Sequence, residues 1–296
     1  MSQSPSAPVE ISVVLPAKNE ADNLKTLLPE IQAVLPDAEI IVVSDGSTDR
    51  TETLCQELGV RCLAHPYSMG NGAAVKAGAR AAHGRTLVFM DADGQHDPAD
   101  IPRLLASLNG GYHMVVGARQ ADTHASLGRR LANGVYNQVA TRMVGHVVAD
   151  LTSGFRAAEA SKFREFLRLL PNGFSYPTTI TMAFFRNGYS VGYVPIRARE
   201  RGGVSHIRPL RDGFRFIIII FRVATLYSPL KMFLPISVVF FALGLLRYGY
   251  TYVAHGQFSN MSALLFSTST IVFLIGLVSE QITMLLFSTK STSPDS

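Results

Sequence analysis

Two long apolar stretches near the carboxyl end, Leu230 to Val253 and Ser262 to Phe287, limit what this chain can become more than any other feature. Each is near or above the ~20 residues an α-helix needs to cross the hydrocarbon of a bilayer. A backbone in lipid must satisfy its own hydrogen bonds, so a helix is the form open to it, and both stretches are expected to span. The connection AHGQFSNM contains no Lys or Arg, whereas Arg208, Arg211, Arg215, Arg222 and Lys231 precede the first span and Lys290 follows the second. The positive-inside rule then places both termini in the cytosol. Tyr248, Tyr250 and Tyr252 form an aromatic belt at the far interface. Arg247 and Glu280 lie within the spans, and pairing would relieve their charges. Depth opposes that pairing: Arg247 sits about six residues, ~9 Å, beyond the middle of its span on the outer side, and Glu280 a similar distance toward the inner side of its own. Each is expected to find its own interface or a neighbouring subunit, which points to a homo-oligomer.

The chain of 296 residues is 47% hydrophobic and only 17% charged, with a mean hydropathy of +0.20. Those values exclude a disordered or nucleic-acid-tail protein and agree with membrane segments. A net charge of +5, from 27 Lys+Arg against 22 Asp+Glu, is a modest excess, and no nucleic-acid partner is expected. Cys55 and Cys62 are neither a C-x-x-C nor half of a zinc site, and they read as reduced thiols. The leader MSQSPSAPVE lacks a basic region followed by an apolar one, so it is no signal peptide and the domain after it is expected to stay in the cytosol.

From Val9 to about Pro195, short apolar runs alternate with longer amphipathic ones, the pattern of a layered α/β domain with a mostly parallel sheet. Strands are predicted at Ile11 to Leu15, Ile40 to Ser44, Val60 to Ala64, Thr86 to Met90, Met114 to Gly117 and Tyr189 to Pro195. Helices are predicted at Ala21 to Leu35, Arg50 to Leu58, Ala73 to Ala82, Pro98 to Leu108, Leu127 to Val144 and Ala158 to Leu170. Ligands of such sheets bind beyond the carboxyl ends of the strands, where three polar loops fall: Pro16 to Glu20, Asp45 to Asp49 and Asp91 to His96. Further along, Arg208, Arg211, Arg215 and Arg222 fall within roughly 60° of a helical wheel. They describe a basic helix on a membrane surface, although Ile219 shares their face and a buried helix of the α/β domain is the plainer alternative. The expected divisions are a polar leader (1–8), a catalytic domain (9–207), an amphipathic juxtamembrane helix (208–228), two transmembrane helices (229–287) and a cytosolic tail (288–296).

Asp91-Ala92-Asp93 follows the predicted strand Thr86 to Met90, and in an extended chain residues two apart project to one side. Two hard oxygen ligands so placed suit Mg²⁺ or Mn²⁺, which keep other positions for water and substrate phosphates. Turns use aspartate freely, so the pair gains its weight from its neighbours. Asp45 ends another strand, where a carboxylate can accept the imide N–H of a nucleobase. Uracil and guanine both offer one, and the base stays open. A turn or helix cap is the plainer reading of aspartates in this loop, and for Asp49 that reading prevails.

The motifs P-A-K-N-E (Pro16 to Glu20), V-V-S-D-G-S-T-D (Val42 to Asp49), M-D-A-D-G-Q-H (Met90 to His96), D-L-T-S-G-F-R (Asp150 to Arg156) and R-G-G-V-S-H (Arg201 to His206) together resemble the family 2 glycosyltransferases. Within that family they are most similar to the dolichyl- and polyprenyl-phosphate sugar transferases, of the dolichol-phosphate mannose synthase type. The resemblance covers about residues 9 to 210. It implies a GT-A fold, a nucleotide-sugar donor linked to UDP or GDP, a divalent cation, a polyprenyl-phosphate acceptor at the membrane and inversion at the anomeric carbon. By the same resemblance Pro16, Ala17, Glu20 and Asp45 bind the nucleoside, and Asp91 and Asp93 the ribose, metal and diphosphate. Gln95 lies near the sugar or acceptor, Arg201 and Ser205 close over the diphosphate, and Arg119, Arg129 and Asn133 hold the acceptor phosphate. Asp93, Gln95 and Arg201 form the expected catalytic set. The chain departs from the family at Ser44, where an aspartate is frequent, at Asn133, where a serine is, and at His206, where a lysine is; the last change removes a fixed charge. Gly276, Ser279 and Glu280 resemble a G-x-x-small-E pattern of lipid-acceptor members.

Q-x-x-R-W is absent and the chain has no Trp, which argues against a processive polysaccharide synthase. Gly70-Asn71-Gly72 superficially meets a dinucleotide-binding fingerprint, but Val75 stands at the third glycine. The alternatives are a diacylglycerol or saccharide hydroxyl as acceptor, or an inactive membrane scaffold. Intact Asp91, Asp93 and Arg201 oppose the scaffold.

Overall fold

The computed structural model describes residues 9–119, 127–173, 175–197, 199, 221, 225 and 228–288. Among the described residues seven strands form one sheet: β1 (Ile11–Ala17), β2 (Glu39–Ser44), β3 (Arg61–Ala64), β4 (Thr86–Phe89), β5 (Met114–Arg119), β6 (Arg156–Glu159) and β7 (Val191–Ile196). Their order is β3-β2-β1-β4-β6-β5-β7. All neighbours pair in parallel except β6, which runs antiparallel between β4 and β5. Helices α1 (Ala21–Val34), α2 (Thr51–Glu57), α3 (Asn71–Ala81), α4 (Ile101–Asn109), α5 (Leu127–Val144), α6 (Ala160–Glu165) and α7 (Tyr176–Arg186) connect them.

Strands β1, β2, β4 and β5 are apolar and buried on both faces because helices cover both, as in other mostly parallel sheets. Alternate residues of β1 part company: Val13 and Leu15 join a core with Leu24, Leu28 and Ile31 of α1 and Ile101 and Leu104 of α4, while Val14 is equally buried beneath α3. The loops leaving β1, β2 and β4 therefore emerge from rigid strands at one sheet edge.

Two elements differ from the sequence-based expectation. The helix expected from Ala158 begins at Ala160, and Arg156–Glu159 is instead the antiparallel strand β6. RAAE carries no β-branched or aromatic residue, and its strand form comes from two neighbours that supply hydrogen-bond ladders on both sides. Helix α7 has no apolar stripe to betray it, since nine consecutive residues from Tyr176 to Phe184 are buried.

The chain divides into two compact units, Met1–Gln138 with Val147–Asp212 and Val139–His146 with Gly213–Ser296. In the second, α8 (Pro229–His255) and α9 (Asn260–Ser288) are long and apolar enough to cross a membrane, with mean hydropathies of 2.0 and 2.1. Their large side chains face outward, Leu246 being 71% and Val253 87% exposed. The helices are joined by a reciprocal pair: Ser237 Oγ donates to Ser269 O and Ser269 Oγ to Ser237 O, both at 2.9 Å. Glu280 finds a partner that depth alone did not suggest. Its Oε2 accepts from Ser228 Oγ and from Leu230 N, each at 3.2 Å, at the start of α8, where the amides of a helix N-terminus favour a carboxylate. The Arg247 guanidinium lies 5.6 Å from the centre of the Tyr250 ring. The arginine face expected at 208–222 lies outside the described residues.

Candidate active site

Strand ends and their loops build a cleft of about 440 Å³. Pro16 and Ala17 close β1, Asp45 N donates to Ala17 O at 2.8 Å, and Met90 N reaches Val14 O at 3.2 Å just before Asp91. Six residues predicted from sequence, Pro16, Ala17, Glu20, Asp45, Asp91 and Asp93, line this one cleft, together with Lys18, Ser68, Gly70 and Asn71. Ser68 and Gly70 come from the loop before α3 and Asn71 is the first residue of that helix, a stretch that the glycosyltransferase motifs did not mark.

Asp45 explains that loop. Its Oδ1 accepts from His65 Nδ1 and Met69 N, both at 2.8 Å, and its Oδ2 from Ser68 Oγ at 2.8 Å and Gly70 N at 2.9 Å. These four donors occupy the four lone-pair sites of a carboxylate. Burial works against the charge, but the His65, Met69, Gly70 and Ser68 hydrogen bonds outweigh it and hold the Asp45 pKa at about 2. Asp49 acts as a cap, as expected: Oδ1 accepts from Thr51 N at 3.0 Å at the start of α2, and Oδ2 from Ala21 N at 3.0 Å at the start of α1.

Asp91 and Asp93 present carboxylates with little else to do. Among the described residues no hydrogen bond reaches Asp91, and Asp93 Oδ1 takes only Gln95 N at 3.2 Å. A Cβ added at Gly154 would stand 2.5 Å from Asp91 Oδ2, so only glycine leaves the carboxylate its place. No cluster of three or more His, Cys, Asp or Glu able to hold a metal occurs among the described residues. Two carboxylates with spare lone pairs fit a hard cation that keeps positions for water and phosphate.

Behind them lies a polar layer. His96 is 4% exposed and stacks on Phe155 at 5.0 Å between ring centres, and its Nδ1 has no hydrogen-bond partner among the described residues. Burial pushes its pKa down against the raising fields of Asp91, Asp93 and Asp150, which leaves the ring neutral. The Arg156 guanidinium is fully buried and donates to Pro177 O at 3.1 Å, Thr181 Oγ1 at 3.2 Å and Ser153 O.

Arg119, at the end of β5, is gripped by Asp150: Nε donates to Oδ2 at 2.8 Å and Nη2 to Oδ1 at 3.2 Å, with Thr152 Oγ1 accepting from Nη2 at 2.7 Å. Gln95 is outside the lining of the cleft, and its carbonyl accepts from Arg199 N at 2.8 Å. Arg129 and Asn133 belong to α5, but their side chains lie outside the described residues, as do Arg201, Ser205 and His206.

The Gly70-Asn71-Gly72 motif is filled by the chain itself. Ala73 N, in the first turn of α3, donates to Asn172 O at 3.1 Å, and a Cβ at Gly72 would lie 2.1 Å from Pro171 O. These glycines admit the 170–173 backbone at the helix terminus where a dinucleotide fold would seat a pyrophosphate.

A mostly parallel sheet with a paired-aspartate loop beyond its fourth strand defines a GT-A fold. Residues 12–167 match the family model "Glycosyl transferase family 2" and residues 228–285 the "GtrB C-terminal hairpin". The chain therefore belongs to glycosyl transferase family 2, in its polyprenyl-phosphate sugar transferase group, and is a glycosyltransferase. It is 31% identical to the polyprenol monophosphomannose synthase of Mycolicibacterium smegmatis, over 64% of this chain and 77% of that one. With the dolichyl-phosphate hexose transferase of Haloferax volcanii it shares 28% identity, over 69% and 89%. Among solved structures, the glucosyl-3-phosphoglycerate synthase of Mycobacterium tuberculosis in complex with Mn²⁺, uridine-diphosphate and glucosyl-3-phosphoglycerate has the same fold, with a TM-score of 0.57 and 22% identity over 75% of this chain and 86% of that one.

Proposed function

We propose that this enzyme moves one sugar, with inversion, from a UDP- or GDP-sugar to polyprenyl phosphate at the cytosolic face of the membrane. The observation that carries the reading is the meeting of Asp91 and Asp93 with Pro16, Ala17, Glu20 and Asp45 in one cleft beyond the strand ends, and the names of the relatives support the acceptor class. Pro16, Ala17 and Glu20 take the nucleoside, and Asp45, whose carboxylate lone pairs are filled by protein donors, serves that site by lining it and holding Ser68 and Gly70 in its wall. Asp91 and Asp93 hold Mg²⁺ or Mn²⁺, which when bound neutralises charge developing on the diphosphate leaving group. Arg201 and Ser205 close over the diphosphate, and Gln95 lies toward the sugar or acceptor. Arg119, Arg129 and Asn133 hold the acceptor phosphate, one of whose oxygens attacks the anomeric carbon opposite the departing nucleoside diphosphate. A single displacement of this kind inverts the centre. By analogy with phosphorylated side chains, whose second pKa is about 6, the acceptor is already mostly dianionic at neutral pH and needs no strong protein base.

In this reading residues 208–228 lie along the membrane surface, α8 and α9 span it, and residues 9–207 work on the cytosolic side. The test is mass spectrometry of lipids extracted after incubating detergent-purified protein with Mn²⁺ or Mg²⁺, polyprenyl phosphate and mixed UDP- and GDP-sugars. A new glycolipid, lost in a folded Asp93→Asn variant, is the expected result. Release of free nucleotide without lipid product overturns the acceptor, and retained activity in Asp93→Asn overturns the metal role.

A further inference from the structure

We propose that Asp150 is a positioning residue, clamping Arg119 so that both hydrogens of Nη1 are left for the oxygens of the acceptor phosphate; this rests on the function proposed above. A guanidinium has five N–H donors in a rigid plane. Here the Nε hydrogen goes to Asp150 Oδ2 at 2.8 Å, and the two Nη2 hydrogens go to Asp150 Oδ1 at 3.2 Å and Thr152 Oγ1 at 2.7 Å. Nη1 has no acceptor among the described residues, and 37% of the side chain is exposed.

The clamp is itself braced. Asp150 Oδ1 also accepts from Thr152 N at 3.0 Å, Thr152 Oγ1 at 3.1 Å and Ser153 N at 3.1 Å, and Oδ2 from Arg119 N at 3.3 Å. Asp150 is 7% exposed, so the carboxylate cannot swing away without stranding buried amides. A free arginine loses several rotamers when it binds a phosphate, whereas a clamped one has lost them already. The same turn continues through Gly154, which lies against Asp91. One short segment, 150–154, thus braces the acceptor arginine at one end and gives room to a metal aspartate at the other.

Full-length wild type, Asp150→Asn, Thr152→Val, Arg119→Lys and the Asp150→Asn/Arg119→Lys double variant are compared in detergent. Calorimetric affinity for a short-chain prenyl phosphate, KM and kcat with polyprenyl phosphate, and the Kd for UDP with Mn²⁺ are measured. Asp150→Asn is expected to weaken phosphate binding and raise the acceptor KM about tenfold, the size of one charge-assisted hydrogen bond, with kcat at saturating acceptor and UDP binding close to wild type. Thr152→Val shifts the same quantities in the same direction by about threefold and carries the test if Asp150→Asn does not fold. The double variant is no weaker than Arg119→Lys alone. Additive losses, or equal losses in phosphate and UDP binding, overturn the clamp. A lipid product made with an unchanged acceptor KM in Asp150→Asn overturns the clamp and leaves the proposed function standing. Asp150-dependent phosphate binding without lipid product overturns the acceptor and leaves the clamp. A wild type that neither binds prenyl phosphate nor makes the lipid overturns both.

Discussion

At the scale of single residues, the site is made of carboxylates given opposite tasks. Asp45 and Asp150 spend their lone pairs inside the protein, ordering the 65–70 loop and Arg119, while among the described residues no hydrogen bond reaches Asp91 and only Gln95 N reaches Asp93, as the proposed metal role requires. The difference can be read by titration. Asp45 has a folded pKa of about 2 against an ordinary 3.8, so its contribution is fully present above pH ~4 and is lost as the pH falls toward 2. At 4% exposure that shift is worth about 2 kcal/mol. Asp45→Asn should therefore lower stability near neutral pH by about that amount, and urea unfolding followed between pH 5 and 2 should show a shallower acid decline than wild type. An unchanged acid limb would remove Asp45 as its source. The aspartates themselves were legible as motifs. Which of them face a ligand and which face the protein was not, because that depends on donors 20 to 25 residues away for Asp45 and 31 residues away for Asp150.

Elements show the same division. The strands β1, β2, β4 and β5 announce themselves through apolar runs, since each is buried on both faces. β6 and α7 do not, because neighbours impose the form of the one and bury every side of the other. The amino end of α3 is likewise decided by a distant segment: Ala73 N meets Asn172 O, and Lys76 Nζ reaches Leu170 O at 3.0 Å and Asn172 Oδ1 at 2.5 Å. Gly72→Ala should then act as overpacking against backbone, since its Cβ would meet Pro171 O at 2.1 Å and Gly173 O at 2.8 Å. A loss of about 1–3 kcal/mol in chemical unfolding is expected. A neutral effect would mean that the 170–173 segment moves freely.

Across the whole molecule, a glycosyltransferase α/β unit and an apolar helical hairpin occupy one chain, and the proposed orientation makes a direct prediction. In intact cells a membrane-impermeant maleimide should label Gln257→Cys, between the two long helices, and should label Glu57→Cys only after lysis. The reverse pattern would turn the hairpin over and with it the cytosolic site. What the sequence determined by itself was whatever depends on local pattern and solvent: the order of strands and helices apart from β6 and α7, two helices long and apolar enough to cross a bilayer, and polar loops placed at strand ends by the parallel order. Only the tertiary structure decided which carboxylates remain free, that Glu280 caps α8, and that Asp150 grips Arg119. Each of those outcomes turns on a hydrogen-bond partner from a remote part of the chain, and the energy of a buried polar group is set by its partners in space, whatever their separation in sequence.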